Sequence, residues 1–238
     1  MDTPHAALRT HHLTHAYPDG RPALRGVSLA IAAGERVALV GANGAGKTTL
    51  LLRLCGALAG DRGQAEVCGL DPADPHHRRK LPAAVGMVFQ NPDDQLFAAT
   101  VLEDVAFGPL NLGADPGQAG RVAEAALDRV GLGGYGPRSP HRLSGGEKRR
   151  AALAGVLAMT PAVLLLDEPT AFLDPRGRRE LAALLKGLPA ALLVATHDLA
   201  LAVELCPRTV VLADGAVIAD GPTAELLADP DRLAGYGL

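Results

Sequence analysis

The chain has no tryptophan, and only four Phe and three Tyr among its 238 residues. It also lacks a long apolar run. Nothing approaches the roughly 18 residues needed to cross a bilayer, and the opening MDTPHAALRTHHLTHAYPDG has no apolar stretch of the kind that forms a secretory leader. A soluble, intracellular protein is expected. A basic excess is missing too. The net charge is −3 with His neutral, which argues against a nucleic-acid binder, whose domain or binding face is usually positive. Cys55, Cys68 and Cys206 are odd in number, far apart and without a CxxC. That argues for small buried residues in a reducing compartment rather than a disulfide framework. His11-His12 and His76-His77 have no Cys or carboxylate at ligand spacing, so no structural metal site is expected.

The chain does have a globular balance, 48% hydrophobic and 21% charged, and enough length for one substantial core. Short apolar runs alternate with helix-period segments, which predicts an α/β fold. The strands are expected at Val27–Ile31, Arg36–Val40, Val85–Phe89, Val163–Leu166, Leu192–Ala195 and Thr209–Leu212. Asp214-Gly215 between two apolar runs reads as a hairpin turn. Helices are expected at Lys47–Leu58, Val101–Phe107, Gly117–Val130, Gly145–Ala158, Arg176–Leu188 and Leu199–Leu205. The segment 91–158 is strand-poor and reads as a helical subdomain inserted into a core made of 1–90 and 159–238.

VALVGANGAGKTTLLLRL joins a strand to a helix through Gly41, Ala42, Asn43, Gly44, Ala45, Gly46, Lys47, Thr48 and Thr49. This fits GxxxxGK[ST] in the required context. Random ordering of this composition would give it about three times in a thousand, so chance is a poor competitor. The glycines let successive N–H groups turn toward an anion, and the helix start adds its positive end. Lys47 supplies a charge to the β- and γ-phosphates and Thr48 a hydroxyl to Mg²⁺. Nucleoside triphosphate binding follows.

AVLLLDEPT is a buried-strand run ending in Asp167-Glu168. Asp167 is placed to hold Mg²⁺ through water. Glu168, one residue on, is expected to point the other way from the strand and to orient or deprotonate the attacking water. His197, past another strand end in LLVATHDLA, reaches the same edge and is placed for a γ-phosphate contact. In HRLSGGEKRRAALAGVLAM, Ser144 with Glu147 forms a capping box, as Thr100 does with Glu103. A capping box does not account for Gly145 and Gly146, which are unfavourable in a first helical turn. They would let a backbone or phosphate approach the exposed N–H groups.

Taken together, these motifs resemble the ATP-binding subunit of ABC transporters. The likeness runs from Tyr17 to about Gly221, with LSGGE resembling that family's signature. It implies an α/β P-loop NTPase core with a mainly parallel sheet, an inserted helical subdomain and a small antiparallel β region, all one ABC ATPase domain over 1–238. It implies a head-to-tail dimer, with itself or a paralogous ATPase, that sandwiches two ATPs between P-loop and signature. By the same likeness Tyr17 stacks on adenine. Gln90 is the Q-loop residue that contacts Mg²⁺, and Asp174 ends the loop linking the two sites. His197 is the switch histidine. Phe172 stands where a small residue is common, and Lys148-Arg149-Arg150 stand where many members have Gln.

FQNPDDQLFAATVLEDVAFGPLNLG resembles the energy-coupling-factor branch in particular. There the turn after Gln90 receives a coupling helix of a transmembrane subunit. Leu96 and Phe97, framed by Asn91, Asp93 and Asp94, would form an apolar socket with a polar rim. The competing reading is that Phe97 anchors the turn to the core. LSGGEKRRAALAGVLAM with DGPTAELL resembles the members serving cobalt or nickel uptake, and biotin is the alternative cargo. The resemblance further implies a substrate-binding membrane subunit and a place on the cytoplasmic face of the membrane. A soluble ABC ATPase acting on nucleic acid is the remaining alternative. One P-loop, no heptads and a negative net charge oppose it.

Overall fold

The computed structural model describes residues 6–60 and 64–236. In chain order the first elements are β1 (Ala6–Ala16), β2 (Pro22–Ala32), β3 (Arg36–Val40), α1 (Lys47–Leu54), β4 (Ala65–Val67), α2 (Leu81–Ala84) and β5 (Val85–Val88). Three helices follow: α3 (Val101–Asn111), α4 (Pro116–Arg129) and α5 (Gly145–Leu157). Then come β6 (Val163–Asp167), α6 (Pro175–Lys186), β7 (Ala191–Ala195), α7 (Leu199–Leu205), β8 (Arg208–Ala213), β9 (Ala216–Pro222), α8 (Thr223–Leu226) and α9 (Pro230–Gly235).

Six strands form one sheet in the order β5-β6-β7-β3-β8-β9. All neighbours are parallel except the β8–β9 hairpin at the edge. Strands β6 (VLLLD) and β7 (ALLVA) are buried along their whole length, as a parallel sheet covered on both faces requires. The two faces feed two cores. Ala38, Val40, Leu164 and Leu166 face a cluster made with α3 to α7. Val37, Leu39, Val163 and Leu165 face a cluster with α1 and the antiparallel sheet β2-β1-β4.

The differences from the sequence expectations have local causes. β1 was not anticipated because its alternation is broken. His12 has φ +46°, and the β1–β2 register shifts between Thr10 and Leu13, the mark of a bulge. Helix α1 stops at Leu54 rather than Leu58. Gly56, at φ +75°, donates to Arg53 O (3.3 Å) while Ala57 N–H donates to Leu52 O (3.0 Å), a Schellman ending. Helix α3 runs past Phe107 to Asn111 with Pro109 inside it; Pro109 is buried, and Asn111 Nδ2 donates to Phe107 O at 2.9 Å. The expected turn between β8 and β9 is present. Asp214 (φ +48°) and Gly215 (φ +79°) both have the left-handed backbone of a tight hairpin.

Candidate nucleotide-binding site

Strands β5, β6, β7 and β3 are parallel neighbours, so their carboxyl ends share one edge of the sheet. That edge gathers Gln90, Asp167-Glu168, Thr196-His197 and the loop from Gly41 to Gly46. The loop is braced from both sides. A Cβ on Gly41 would meet Leu212 O at 2.1 Å, and Gly46, at φ +104°, lies where a Cβ would meet Ala23 O at 2.5 Å. Gly215 of the hairpin donates its N–H to Ala45 O (3.0 Å), and Arg25 N–H donates to Gly215 O (2.8 Å). The loop's shape is thus set by β2 and β8–β9 as well as by its own sequence.

A cavity of ≈ 370 Å³ opens at this edge, lined by Tyr17, Asn43, Gly44, Gly46, Lys47, Thr48, Thr49, Gln90, Asp167 and Glu168 among others. Gly41 and Ala45 are buried behind it. Lys47 is buried, and its Nζ donates to Gly41 O (2.6 Å) and Ala42 O (3.1 Å). Burial pushes its ammonium below the ordinary lysine range, against the pull of Glu168 and Asp167. An anion in the cavity would offset that cost directly. Thr48 Oγ1 donates to Asp167 Oδ2 at 2.7 Å. Burial raises the Asp167 carboxyl above its ordinary range; the Thr48 bond and the Lys47 charge oppose the rise, and Glu168 adds to it. Tyr17 Oη lies 2.9 Å from Thr49 Oγ1, and its ring meets His15 edge-on at 5.1 Å.

Glu168 does not follow the alternation expected of it. Strand β6 ends at Asp167, and Glu168 turns with φ +46°. Only 6% exposed, it accepts from Thr196 Oγ1 (3.2 Å) and from His197 N–H (3.1 Å). His197 Nδ1 is 2.9 Å from Glu168 Oε2, while the His197 side chain is 71% exposed and is not among the cavity's lining residues. In this structure His197 holds Glu168 rather than reaching into the cavity.

Ser144, Gly145 and Gly146 lie elsewhere. They line a second cavity of ≈ 740 Å³ with Phe172, Asp174 and Arg176, and no residue lines both cavities. Ser144 and Glu147 cap α5 reciprocally. The Ser144 N–H and hydroxyl hold the Glu147 carboxyl below its ordinary range. Tyr135 Oη also donates to Glu147, at 2.9 Å. Phe172, exposed at φ +65°, lies over Gly145, where an added Cβ would sit 3.6 Å from the Phe172 Cβ. Asp174 caps α6 through Gly177 N–H at 2.7 Å.

The apolar pair after Gln90 is split in exposure, although both residues line one groove. Leu96 is 8% exposed and joins the core with Val101 and Val105. Phe97 is 67% exposed and packs edge-to-face on Phe107 at 4.9 Å. Together they border a groove of ≈ 520 Å³ with Met87, Gln95, Asp104 and Met159. The buried Asp104 accepts from Phe97 N–H and Ala98 N–H, both at 2.9 Å, and its Oδ2 has no partner.

Sequence reasoning passed over the role of Arg149. It is 1% exposed, with its guanidinium at the ends of β5 and β6. The available signal was its helical spacing with Ala152, Leu153 and Val156, all buried on α5.

A parallel sheet with a glycine-rich loop, a lysine and a strand-end carboxylate at its carboxyl edge defines a P-loop NTPase. The pattern of the ABC transporter family matches residues 24–171, and the chain belongs to that family. A cobalt import ATP-binding protein of Rhodobacter capsulatus is 48% identical over 237 residues, 97% of this chain and 84% of that one. The energy-coupling factor transporter ATP-binding protein of Methanothermobacter thermautotrophicus is 44% identical over 231 residues, 95% of this chain and 74% of that one. A relative from Streptomyces coelicolor, 52% identical over 233 residues (98% of this chain, 89% of that one), is described at family level without a cargo. Among solved structures, cbiO1 of Clostridium perfringens, part of the transporter complex cbiONQ, superposes with a TM-score of 0.83 at 36% identity, over 97% of this chain and 94% of that one. The cassette MJ0796, a dimer bound to ADP and Pi, superposes with a TM-score of 0.83 at 26% identity, over 91% of this chain and 98% of that one.

Proposed function

We propose that the chain hydrolyses ATP to drive a membrane importer of the energy-coupling-factor type, with cobalt or nickel ions as cargo. The observation that carries the mechanism is the separation of Ser144–Gly146 from the P-loop cavity. In this reading a second copy, or a paralogous ATPase, turned head to tail brings its Ser144 and the N–H groups of Gly145 and Gly146 to the triphosphate held by Lys47. Asp174, beside the signature, would meet the other site, and Tyr17 would stack on the base. A hard cation suits the oxygen set of Thr48, Asp167 and Gln90, and Thr48 and Asp167 already share a hydrogen bond at the cavity. Mg²⁺ held there would neutralise charge on the phosphates. In this reading Glu168, which Thr196 and His197 hold, takes a proton from the attacking water.

The groove beside Phe97 supports a transmembrane coupling partner that works with a substrate-binding membrane subunit. Its apolar walls and the unpartnered Asp104 oxygen suit a helix bearing apolar side chains and one cationic or N–H donor. Among the described residues no helix is long and apolar enough to cross a membrane, consistent with a peripheral place on the cytoplasmic face. No observation favours nucleic acid as a partner.

Two measurements test the reading. Glu168→Gln with Mg-ATP should run as a dimer by light scattering, and Ser144→Arg in that background should stay monomeric. A Glu168→Gln protein that remains monomeric at every concentration refutes the sandwich. Cells expressing the chain with its membrane partners should accumulate labelled cobalt or nickel. Accumulation of labelled biotin instead would reassign the cargo.

A further inference from the structure

We propose that Arg149 is a positioning residue that makes helix α5 follow the Q-loop, so that the chain's own nucleotide site sets the stance of the Ser144–Gly146 edge. The inference rests on the sandwich reading for its consequence, but not for its test.

The geometry is specific. Arg149 Nη1 donates to Phe89 O (3.0 Å) and lies 3.4 Å from Asp167 O, while Nη2 donates to Gln90 O (2.5 Å). One side chain therefore joins the ends of two adjacent strands, those that deliver Gln90 and the Asp167-Glu168 pair. It does so from the first half of the helix that Ser144 caps. Two further contacts on α5 hold the same turn. Lys148 Nζ pairs with Asp93 Oδ1 at 2.5 Å, and Gln95 Nε2 donates to Ala152 O at 3.2 Å. Segment 89–95 is thereby fastened to α5 at residues 148, 149 and 152.

The chemistry argues that this is more than filling space. Arg149 is fully buried, yet its hydrogen bonds go to backbone carbonyls and not to a carboxylate. Burying a cation on neutral acceptors is unfavourable compared with an apolar side chain of similar volume. What the guanidinium adds is a rigid fork whose donors fix several oxygens relative to one helix. Burial lowers its pKa, with Asp167 and Glu168 opposing the fall. Its Nε is buried without a partner, so a donor is free for a rearranged Q-loop without breaking the link. Gln90 already lines the cavity, so any shift of its carbonyl when the cavity fills would reach α5 through Arg149. In the sandwich, the signature covering one ATP would then register whether the other site is filled.

The test uses the full chain carrying Glu168→Gln, kept dilute enough to stay monomeric. Amide exchange over 144–150 is measured with and without Mg-ATP. With Arg149 intact, nucleotide should change exchange there by roughly threefold or more. In Arg149→Gln the response should vanish while a fluorescent ATP analogue binds within about twofold of the parent. Arg149→Lys, which keeps the charge but not the fork, should retain part of the response; it carries the test if Arg149→Gln does not fold. At dimerising concentrations Arg149→Gln should weaken ATP-driven association by about tenfold. An undiminished exchange response in a folded Arg149→Gln protein overturns the proposal, as does absence of any response in the parent. Failure of the parent to dimerise refutes the sandwich and leaves the exchange result to decide on Arg149.

Discussion

Glu168 carries a left-handed backbone that few non-glycine residues adopt, and three contacts from Thr196 and His197 hold its carboxylate there. Such strain persists where the surroundings fix it, commonly at functional sites. If Glu168 is the base, Glu168→Gln should leave ATP binding intact and slow single-turnover hydrolysis by roughly 10²- to 10⁴-fold. A phosphate-release assay at saturating ATP reads the difference, and a near-normal rate removes Glu168 from the chemistry. The identities of Lys47, Thr48 and Asp167 could be read from the sequence because each occupies a fixed offset from a glycine loop or a strand end. The direction of Glu168 could not. Strand alternation stops at Asp167, and nothing in DEP announces a positive φ. Leu96 and Phe97 were equally opaque. Two adjacent apolar residues in a turn go to opposite environments, and which one is buried depends on the helices that the turn meets.

At the level of elements, the central strands could be read because parallel strands buried on both faces are unbroken apolar runs. The bulge in β1 hides its period-2 alternation, and α1 ends at a Schellman glycine that its apolar periodicity does not reveal. The two capping boxes could be read in advance and are present in the structure. Thr100→Ala, which removes the α3 box away from the nucleotide cavity, should lower stability by about 1 kcal/mol. Urea unfolding should show this as a shifted midpoint with unchanged slope. The buried stripe of α5 was also readable in outline, but the acceptors of Arg149 were not. They lie on segments 18 or more residues away in sequence, and only the folded sheet edge assembles them.

At the scale of the molecule, the nucleotide edge and the Phe97 groove are distinct surfaces that share the segment after β5. Phe97→Ala should therefore leave nucleotide affinity unchanged. It should weaken co-purification with the proposed transmembrane partner by roughly tenfold, a moderate loss for an exposed aromatic anchor. Unchanged capture would return Phe97 to the role of a surface residue. Stability should also respond to alkali. Burial pushes the Cys206 thiol from 9.0 up to about 12, against the pull of Arg36. The native state keeps that proton where the unfolded chain has lost it, so the thiol's contribution is complete below pH 9 and declines as pH rises toward 12. Urea midpoints between pH 8 and 10.5 should fall more steeply for the parent than for Cys206→Ala.

The brace between the Asp214–Gly215 hairpin and Ala45 bears on synthesis as well as on the finished protein. A ribosome makes the triphosphate cradle early and its buttress very late, with about 170 residues of chain between the two. Nascent chains stalled before Leu212 should emerge with a slack loop and fail to retain a fluorescent ATP analogue. Chains carrying a C-terminal linker long enough to bring Pro222 out of the ribosomal tunnel should retain it, so that fuel binding begins only once the hairpin has emerged.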